Sequence, residues 1–448
     1  MVQQFQLTGH QGPVTCLAHS SNAQQGVKTT KTKTKTNQHT NNKMPCCLLS
    51  GSEDGTVRLW DFRSNTSRAS LCILSPNKQE EITSVAFHPT FDDANKNAIE
   101  DTSKYSYPFT VFASIGSAVY GFDLRQASSP ILQQHHYQLQ PLEGEEINQI
   151  EFTTAQTNKR IYIATADDDG FARVTDSIPN RLNANLNASS SASTKAAANK
   201  CTLLQHCADT LSSSSAALVT SLAFRPKAKY LDLATGGTDC TVCLWDVNRP
   251  RRPSSTFVIQ REEEDGVNQV CNPPFVNSLS WSPSGRLLAA GLGDGTAMVM
   301  QVDGRRLVEG CRLKGGHDAA IASVLFPRFG GVDSSRVVAD DRLLVTGGND
   351  GSVILWDLGE NLVKDGVDPS TLFVDCNDTS MNGAMKDLSL RDANNACGKD
   401  PRILMGLQHG RKPNCIESCN AFDSVFPSSL FVADTSNAIT VYTFPRGP

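Results

Sequence analysis

Short runs of alternating apolar and polar residues recur along the 448-residue chain, and each run is followed by a tight turn and a second run. The clearest copy is LLSGSEDGTVRLWDF, which begins at Leu48. Alternation with a period of two predicts strands that bury one face, and a turn rich in Gly, Asp and Asn tolerates left-handed backbone. Each unit of this kind therefore predicts a β-hairpin.

Seven copies of this hairpin unit align along the chain. The copies begin at Leu48, Val111, Tyr162, Leu231, Arg286, Arg342 and Ser429. Another short strand precedes nearly every copy, as in ITSVAFHP from Ile82 and VTSLAFRP from Val219. With one further strand per unit, the pattern predicts an all-β fold, a seven-bladed β-propeller. A two-sheet sandwich is the alternative, but it gives no reason for one hairpin to repeat seven times.

The two ends of the chain predict how the ring closes. The strand-like segment Gln4 to Thr8 precedes the first complete unit, and the last unit stops at VYTF without an outer strand. An amino-terminal strand that completes the last blade would remove two exposed sheet edges.

Residues 1–448 are then one propeller domain. Its polar segments bury too little apolar surface to fold alone and are expected to be disordered. They are residues 22–43, 91–106, 180–200 and 359–400.

A set of four polar or aromatic residues recurs in three of the units. The sets are His10, Ser50, Asp54 and Trp60 in the first, His206, Thr235, Asp239 and Trp245 in the fourth, and His317, Thr346, Asp350 and Trp356 in the sixth. These sets and their Trp-Asp pairs resemble the WD-repeat family. The resemblance implies a buried chain of hydrogen bonds within each of these blades. Three units depart from the pattern by carrying Phe122, Thr175 or Met300 in place of Trp, and the seventh is expected to lack the set.

A hydroxyl, a histidine and an aspartate could also form the catalytic triad of a hydrolase. A nucleophile is needed once, whereas a device that stabilises a blade is needed in each blade. The repetition therefore favours a structural role. GLGDGT from Gly291 is likewise a hairpin turn, because a strand follows it where a phosphate-binding loop requires a helix. We expect no catalytic residue, no cofactor and no enzyme activity.

Composition narrows the range of partners. The net charge of -5 and the pI near 6.0 provide no basic field of the kind that binds nucleic acid or an anionic membrane. The 14 cysteines are scattered through apolar runs without a zinc-like spacing, which predicts reduced thiols and no metal site. The sequence has no signal-peptide pattern and no run of 18 apolar residues. We therefore expect a soluble protein of the cytoplasm, the nucleus or both.

The first two units each end on an arginine that follows an aspartate by two positions. Residues 48–63, which end in Trp-Asp-Phe-Arg, resemble the box that WD-repeat substrate receptors of cullin-4 ubiquitin ligases present to the damaged-DNA-binding adaptor protein. The resemblance implies adaptor binding by a set of four residues. They are Asp61, Arg63, Asp123 and Arg125.

Consecutive blades end their third strands on the same face, so both arginines are expected to address one surface. A guanidinium binds carboxylates or carbonyls in a bidentate geometry that lysine does not reproduce. The alternative is that Arg63 and Arg125 pair with acids of their own blades.

A propeller is a scaffold whose function depends on what its faces carry. One hypothesis is a substrate receptor of a cullin-4 RING ligase, monomeric within the larger complex, that brings an unidentified client protein to the ligase. The alternative is a ligase-independent WD-repeat scaffold in chromatin or ribosome assembly.

Overall fold

The computed structural model describes most of the predicted strand regions of the chain. The described residues are 2–20, 47–62, 69–76, 80–89, 110–124, 127, 129–135, 137–139, 145–158, 160–176, 201–206, 217–261, 272–329, 341–359, 362–363, 401–419 and 428–444. The predicted disordered segments 22–43, 91–106 and 180–200 lie outside the described residues, as does nearly all of 359–400.

The described secondary structure is almost entirely β-strand and forms seven small sheets. Strand β1 (Gln3–Thr8) comes first in the chain. The next three sheets in chain order, blades one to three, contain β2 (Val14–His19), β3 (Cys47–Ser52), β4 (Thr56–Asp61) and β5 (Leu71–Leu74); β6 (Ile82–Phe87), β7 (Thr110–Ile115), β8 (Ala118–Asp123) and β10 (Tyr137–Leu139); and β11 (Ile147–Thr154), β12 (Ile161–Asp167), β13 (Phe171–Asp176) and β14 (Cys201–Gln205). Strand β9 (Ile131–Leu132), which lies between β8 and β10 in the chain, belongs to the sheet of blade one.

Blades four to seven follow the same plan. They contain β15 (Val219–Phe224), β16 (Asp232–Gly237), β17 (Thr241–Asp246) and β18 (Ser255–Val258); β19 (Val276–Trp281), β20 (Leu287–Leu292), β21 (Ala297–Asp303) and β22 (Arg306–Leu313); β23 (Ile321–Leu325), β24 (Leu343–Gly348), β25 (Ser352–Asp357) and β26 (Arg402–Gln408); and β27 (Pro413–Cys419), β28 (Ser428–Asp434) and β29 (Ala438–Phe444).

The seven sheets are the blades of a closed propeller, as the repeats predict. The first strand of each blade packs against the first strand of the next, and β27 of the seventh blade packs against β2 of the first. The predicted closure is confirmed, because β1 pairs antiparallel with β29 from Gln3–Thr443 to Thr8–Ala438. Buried apolar side chains of neighbouring blades form shared clusters, so the core lies between the blades.

The blades have two distinct faces. The turns between second and third strands lie on one face, here called the hairpin face. The third strands end on the other face, and in six blades the last residue is an aspartate. These residues are Asp61, Asp123, Asp176, Asp246, Asp303 and Asp357. We call this face the aspartate face.

A belt of side-chain hydrogen bonds joins the first strands around the central channel. In six blades, the second residue of the first strand donates to the carbonyl of the first residue of the next blade's first strand. The donors are Thr15, Thr83, Asn148, Thr220, Asn277 and Asn414. In the sixth blade the corresponding residue is Ala322, which has no side-chain donor. The belt therefore has a gap at the junction of blades six and seven.

Blade one contains a fifth strand that the repeats do not predict. After β8 of blade two, the chain crosses to the outer edge of blade one, where β9 pairs parallel with β5. The carbonyl of Pro130 also accepts a hydrogen bond from the N–H of Cys72, with 2.8 Å between nitrogen and oxygen. Blades one and two are therefore tied at their periphery as well as at the channel.

Candidate protein-interaction site

The predicted adaptor site lies where the third strands of blades one and two end. Asp61 is the last residue of β4, and Asp123 is the last residue of β8. The two aspartates occupy corresponding positions of consecutive blades, on the aspartate face. Arg63 and Arg125 lie outside the described residues.

The residue that precedes each arginine is anchored in the core. Phe62 is 7% exposed and stacks on Phe431, with 5.2 Å between ring centroids. Leu124 packs against the apolar cluster that blades one and two share. The chain is therefore held by buried contacts up to the last residue before each arginine.

The polar set of blade one forms a continuous hydrogen-bond network. The hydroxyl of Ser50 accepts a hydrogen bond from the indole N–H of Trp60 at 2.9 Å, and its Oγ lies 2.7 Å from Nε2 of His10. The other ring nitrogen of His10 lies 3.3 Å from a carboxylate oxygen of Asp54. Ser50 is completely buried, so no substrate reaches its hydroxyl. This environment suits a stabilising network and excludes Ser50 as a nucleophile in this folded state.

The structure brings together the corresponding residues of blades four and six. Trp245 donates to Thr235 and Trp356 donates to Thr346, each at 2.9 Å between heavy atoms. His206 and His317 lie 2.8 Å and 2.7 Å from these threonine hydroxyls. Each histidine also lies 3.3 Å from its aspartate, Asp239 in blade four and Asp350 in blade six.

Blade seven lacks the four-residue set, since valine stands at the position of the buried hydroxyl, but it contains a different polar network that sequence reasoning missed. His409 lies 2.7 Å from a carboxylate oxygen of Asp434 and 2.9 Å from the hydroxyl of Tyr442. Tyrosine takes the place of tryptophan here, so a search for Trp-Asp does not find this network. The detectable signal is that His10, His317 and His409 each lie four residues before the first strand of their blade.

The aspartates of these networks are held in their charged form. Burial acts to raise the pKa of Asp54, but hydrogen bonds from His10, the Thr56 hydroxyl and the Gln11 N–H hold it well below its ordinary value. Burial also acts to raise the pKa of Asp350 and Asp434, but hydrogen bonds with His317 and His409 lower the pKa of these carboxyl groups below the ordinary value. The folded state therefore favours ionised aspartates at these turns.

Replacing Asp54 by alanine is expected to destabilise the protein by about 1–3 kcal/mol, because buried partners lose their acceptor. Since its pKa is lowered by folding, Asp54 stabilises the fold fully above the ordinary value of 3.8 and loses this effect as the pH falls further. Denaturant unfolding at pH 7 and at pH 3 measures both effects. Glu53→Ala, which alters an exposed neighbour, is the control. Equal unfolding free energies for Asp54→Ala and the unmodified protein at pH 7 would contradict the expectation.

The central channel contains a cavity of about 460 Å³, lined by the first strands of all seven blades. Burial raises the pKa of Glu151 to about 8, although its carboxylate accepts a hydrogen bond from the Phe224 N–H at 2.7 Å. Burial also lowers the pKa of Arg328, and the nearby Glu417 opposes that shift. A ligand that entered the cavity would meet polar groups and a carboxyl that is largely protonated at neutral pH.

Comparison with known proteins agrees with this architecture. The family described as WD domain, G-beta repeat matches residues 1–61, 205–246, 266–299 and 311–357. These ranges contain the three complete polar sets, and blades two, three and seven share the same strand arrangement outside them. The chain is a seven-bladed β-propeller with WD40 repeats.

Several curated proteins are similar in sequence. WD repeat-containing protein 53 homolog of Dictyostelium discoideum is 24% identical over 403 residues, which cover 87% of this chain and 86% of that protein. WD repeat-containing protein VIP3 of Arabidopsis thaliana is 32% identical over 24% of this chain and 32% of its own length. Protein lethal(2)denticleless of Drosophila melanogaster is 30% identical over 24% of this chain and 12% of its own length. The blade sequences thus resemble WD repeat-containing protein 53 across most of the chain.

Within the described part of the chain, no helix is both long enough and apolar enough to cross a membrane.

Proposed function

We propose that this protein is a substrate receptor of a cullin-4 RING ubiquitin ligase and binds the damaged-DNA-binding adaptor through Arg63 and Arg125. The resemblance of residues 48–63 to the adaptor-binding box carries the proposal. The alternative, in which each arginine pairs within its own blade, leaves the adaptor without this contact.

The architecture of blades one and two supports a shared docking surface. Asp61 and Asp123 end corresponding strands, and the residues that follow them, Phe62 and Leu124, are fixed by buried contacts. The pairing of β9 with β5 adds a second link between the blades, starting six residues after Arg125. A rigid pair of blades lowers the ordering cost of binding, because the surface is organised before the partner arrives.

Arginine suits this position for a chemical reason. Its planar guanidinium donates two parallel hydrogen bonds to a carboxylate or to neighbouring carbonyls, and arginine is enriched among the residues that dominate interface energies. The hairpin face and the channel mouth would remain accessible to a client while the aspartate face is docked.

Replacing both arginines by alanine is expected to reduce recovery of the purified adaptor at least about tenfold, because each removes a bidentate contact. Arg63→Lys with Arg125→Lys is expected to restore little binding, since lysine lacks the fork geometry. Co-precipitation with the purified full-length chain measures both. Circular dichroism verifies that the variants are folded.

The matched control replaces Arg160 and Arg402 by alanine. These two arginines are 57% and 48% exposed and lie on the aspartate face of other blades. This control is expected to bind the adaptor normally. Unchanged adaptor recovery by the folded Arg63→Ala and Arg125→Ala variant would refute the receptor proposal and favour the ligase-independent scaffold.

A further inference from the structure

Four neighbouring loops on the aspartate face of blades four and five are strongly basic. They are residues 225–231, 247–254, 282–286 and 304–306, which contain nine cationic residues and no acidic residue. Three aspartates directly adjoin them, the buried Asp232 and Asp246 and the exposed Asp303. The cations are Arg225, Lys227, Lys229, Arg249, Arg251, Arg252, Arg286, Arg305 and Arg306. The whole chain has a net charge of -5, so the concentration of positive charge is local.

Direct hydrogen bonds connect these loops into one surface. The N–H of Val247 donates to the carbonyl of Leu231 at 3.0 Å, which joins the two loops of blade four. Nε of Arg225, in blade four, donates to the carbonyl of Gly285 at 2.8 Å, and Nη1 of the same side chain donates to the carbonyl of Gly304 at 2.9 Å. Gly285 and Gly304 belong to two different loops of blade five. Both have positive φ angles, 74° and 61°, which glycine adopts without strain. One arginine of blade four therefore fixes both loops of blade five.

The inner cations are neutralised by buried acids. Arg305 lies 2.6 Å from Asp246 and 3.0 Å from Asp232, and Arg225 lies 3.6 Å from Asp232. Both aspartates are buried. These ion pairs neutralise Arg225 and Arg305 but do not neutralise the outer cations of the loops.

Six outer cations remain exposed above these pairs. They are Lys227, Lys229, Arg249, Arg251, Arg252 and Arg306. Among the residues that the structure describes, none of the six forms an ion pair with an acidic side chain. Each exposed charge contributes little alone, so a partner gains affinity only by contacting several of them together.

The aromatic residue of the surface distinguishes between possible partners. Tyr230 is 50% exposed, but the Arg305 guanidinium lies 4.2 Å from its ring centroid and the Lys229 ammonium lies 5.4 Å from it. A nucleic-acid platform needs aromatic faces that are open to bases and a broad basic field. Here the ring is already in contact with cations, and the protein as a whole is acidic.

We propose that this surface, the basic loops of blades four and five, binds an acidic polypeptide segment whose carboxylates are spread over several residues. The site is separate from the proposed adaptor contact, because blade three lies between it and blades one and two on one side and blades six and seven on the other. This protein could therefore bind an acidic partner at this surface whether or not the adaptor is bound at blades one and two.

A fluorescent peptide of alternating glutamate and glycine, with six glutamates, is a suitable probe for the full-length protein. We expect saturable binding in 50 mM salt that weakens as salt is raised, and at least about tenfold weaker binding of the glutamine version. A single-stranded oligothymidylate with six phosphates is expected to bind more weakly than the acidic peptide. Tighter binding of the oligothymidylate would overturn the choice of an acidic polypeptide as partner.

Arg251→Ser with Arg252→Ser is expected to raise the dissociation constant for the acidic peptide about fivefold. Adding Lys227→Asn and Lys229→Ser is expected to abolish measurable binding. Asparagine is chosen at position 227 because the backbone there has a φ of 55°, which asparagine tolerates. Thermal melting verifies the fold of each variant.

Arg411→Ser with Lys412→Ser is the matched control, because it also removes two adjacent exposed cations but lies on the hairpin face. This control is expected to bind the acidic peptide like the unmodified protein. Equal losses in the control and in the Arg251→Ser, Arg252→Ser variant, or no loss in either, would overturn the proposal. The adaptor experiment leaves these loops unaltered, so the two proposals succeed or fail separately.

Discussion

Deletion of residues 2–8 is expected to lower the free energy of unfolding by more than about 3 kcal/mol and to make the protein prone to aggregate. The deletion removes β1, whose six residues pair with β29, and it removes Leu7, which is 1% exposed. Loss of a buried leucine alone costs about 2–5 kcal/mol. The deletion also exposes the backbone edge of β29, which can then pair with another chain. Denaturant unfolding and light scattering measure the two effects.

Two controls separate ring closure from simple shortening of the chain. Removing residues 445–448, which follow β29, is expected to leave stability unchanged. A synthetic peptide of residues 2–9, added to the truncated protein, is expected to raise its melting temperature in proportion to the logarithm of peptide concentration. A truncated protein that melts like the complete chain would show that β1 does not close the ring.

Replacing Arg342 by alanine is expected to cost about 3–5 kcal/mol, because it leaves the carboxylate of Asp357 buried without its main partner. Arg342 is 2% exposed and Asp357 is completely buried. Their two hydrogen bonds measure 2.5 Å from Nε and 2.9 Å from Nη2. Denaturant unfolding of the purified variant measures the loss.

The exposed neighbour Arg402, which lies 3.3 Å from Asp357, provides the comparison. Arg402→Ala is expected to cost less than about 1 kcal/mol, since surface ion pairs contribute little. Arg342→Leu combined with Asp357→Leu is expected to recover most of the stability, because neither charge is then buried alone. Similar stabilities for Arg342→Ala and Arg402→Ala would contradict this account of the pair.

The hairpin repeats were sufficient to predict the blades, their number and the closing strand. Alternating residues specify strands locally, and the same unit repeated seven times leaves few ways to bury its apolar faces. Trp-Asp pairs also indicated which residues would form polar sets. The structure brings those sets together around Ser50, Thr235 and Thr346.

The features that sequence reasoning missed depend on contacts between distant parts of the chain. The network of His409, Asp434 and Tyr442 lacks the tryptophan that marks the other sets. Strand β9 has only two residues, Ile131 and Leu132, which is too short for a periodic signal. The channel belt is visible in sequence as a polar second position in six of the seven first strands, but the acceptor lies in the next blade. The loops between the blades become one basic surface only after the ring has formed.

The central claim is that blades one and two of a closed ring present positions 63 and 125 on the same face. Spin labels are introduced as non-canonical amino acids in two variants, one at Arg63 and Arg125 and one at Arg63 and Asn248. Pulsed electron paramagnetic resonance measures the distance between the two labels in each variant. Asn248 is the corresponding position of blade four, two blades beyond blade two. We expect a single distance between positions 63 and 125 that is clearly shorter than the distance between positions 63 and 248. A distance between 63 and 125 equal to or longer than that between 63 and 248 would contradict the account.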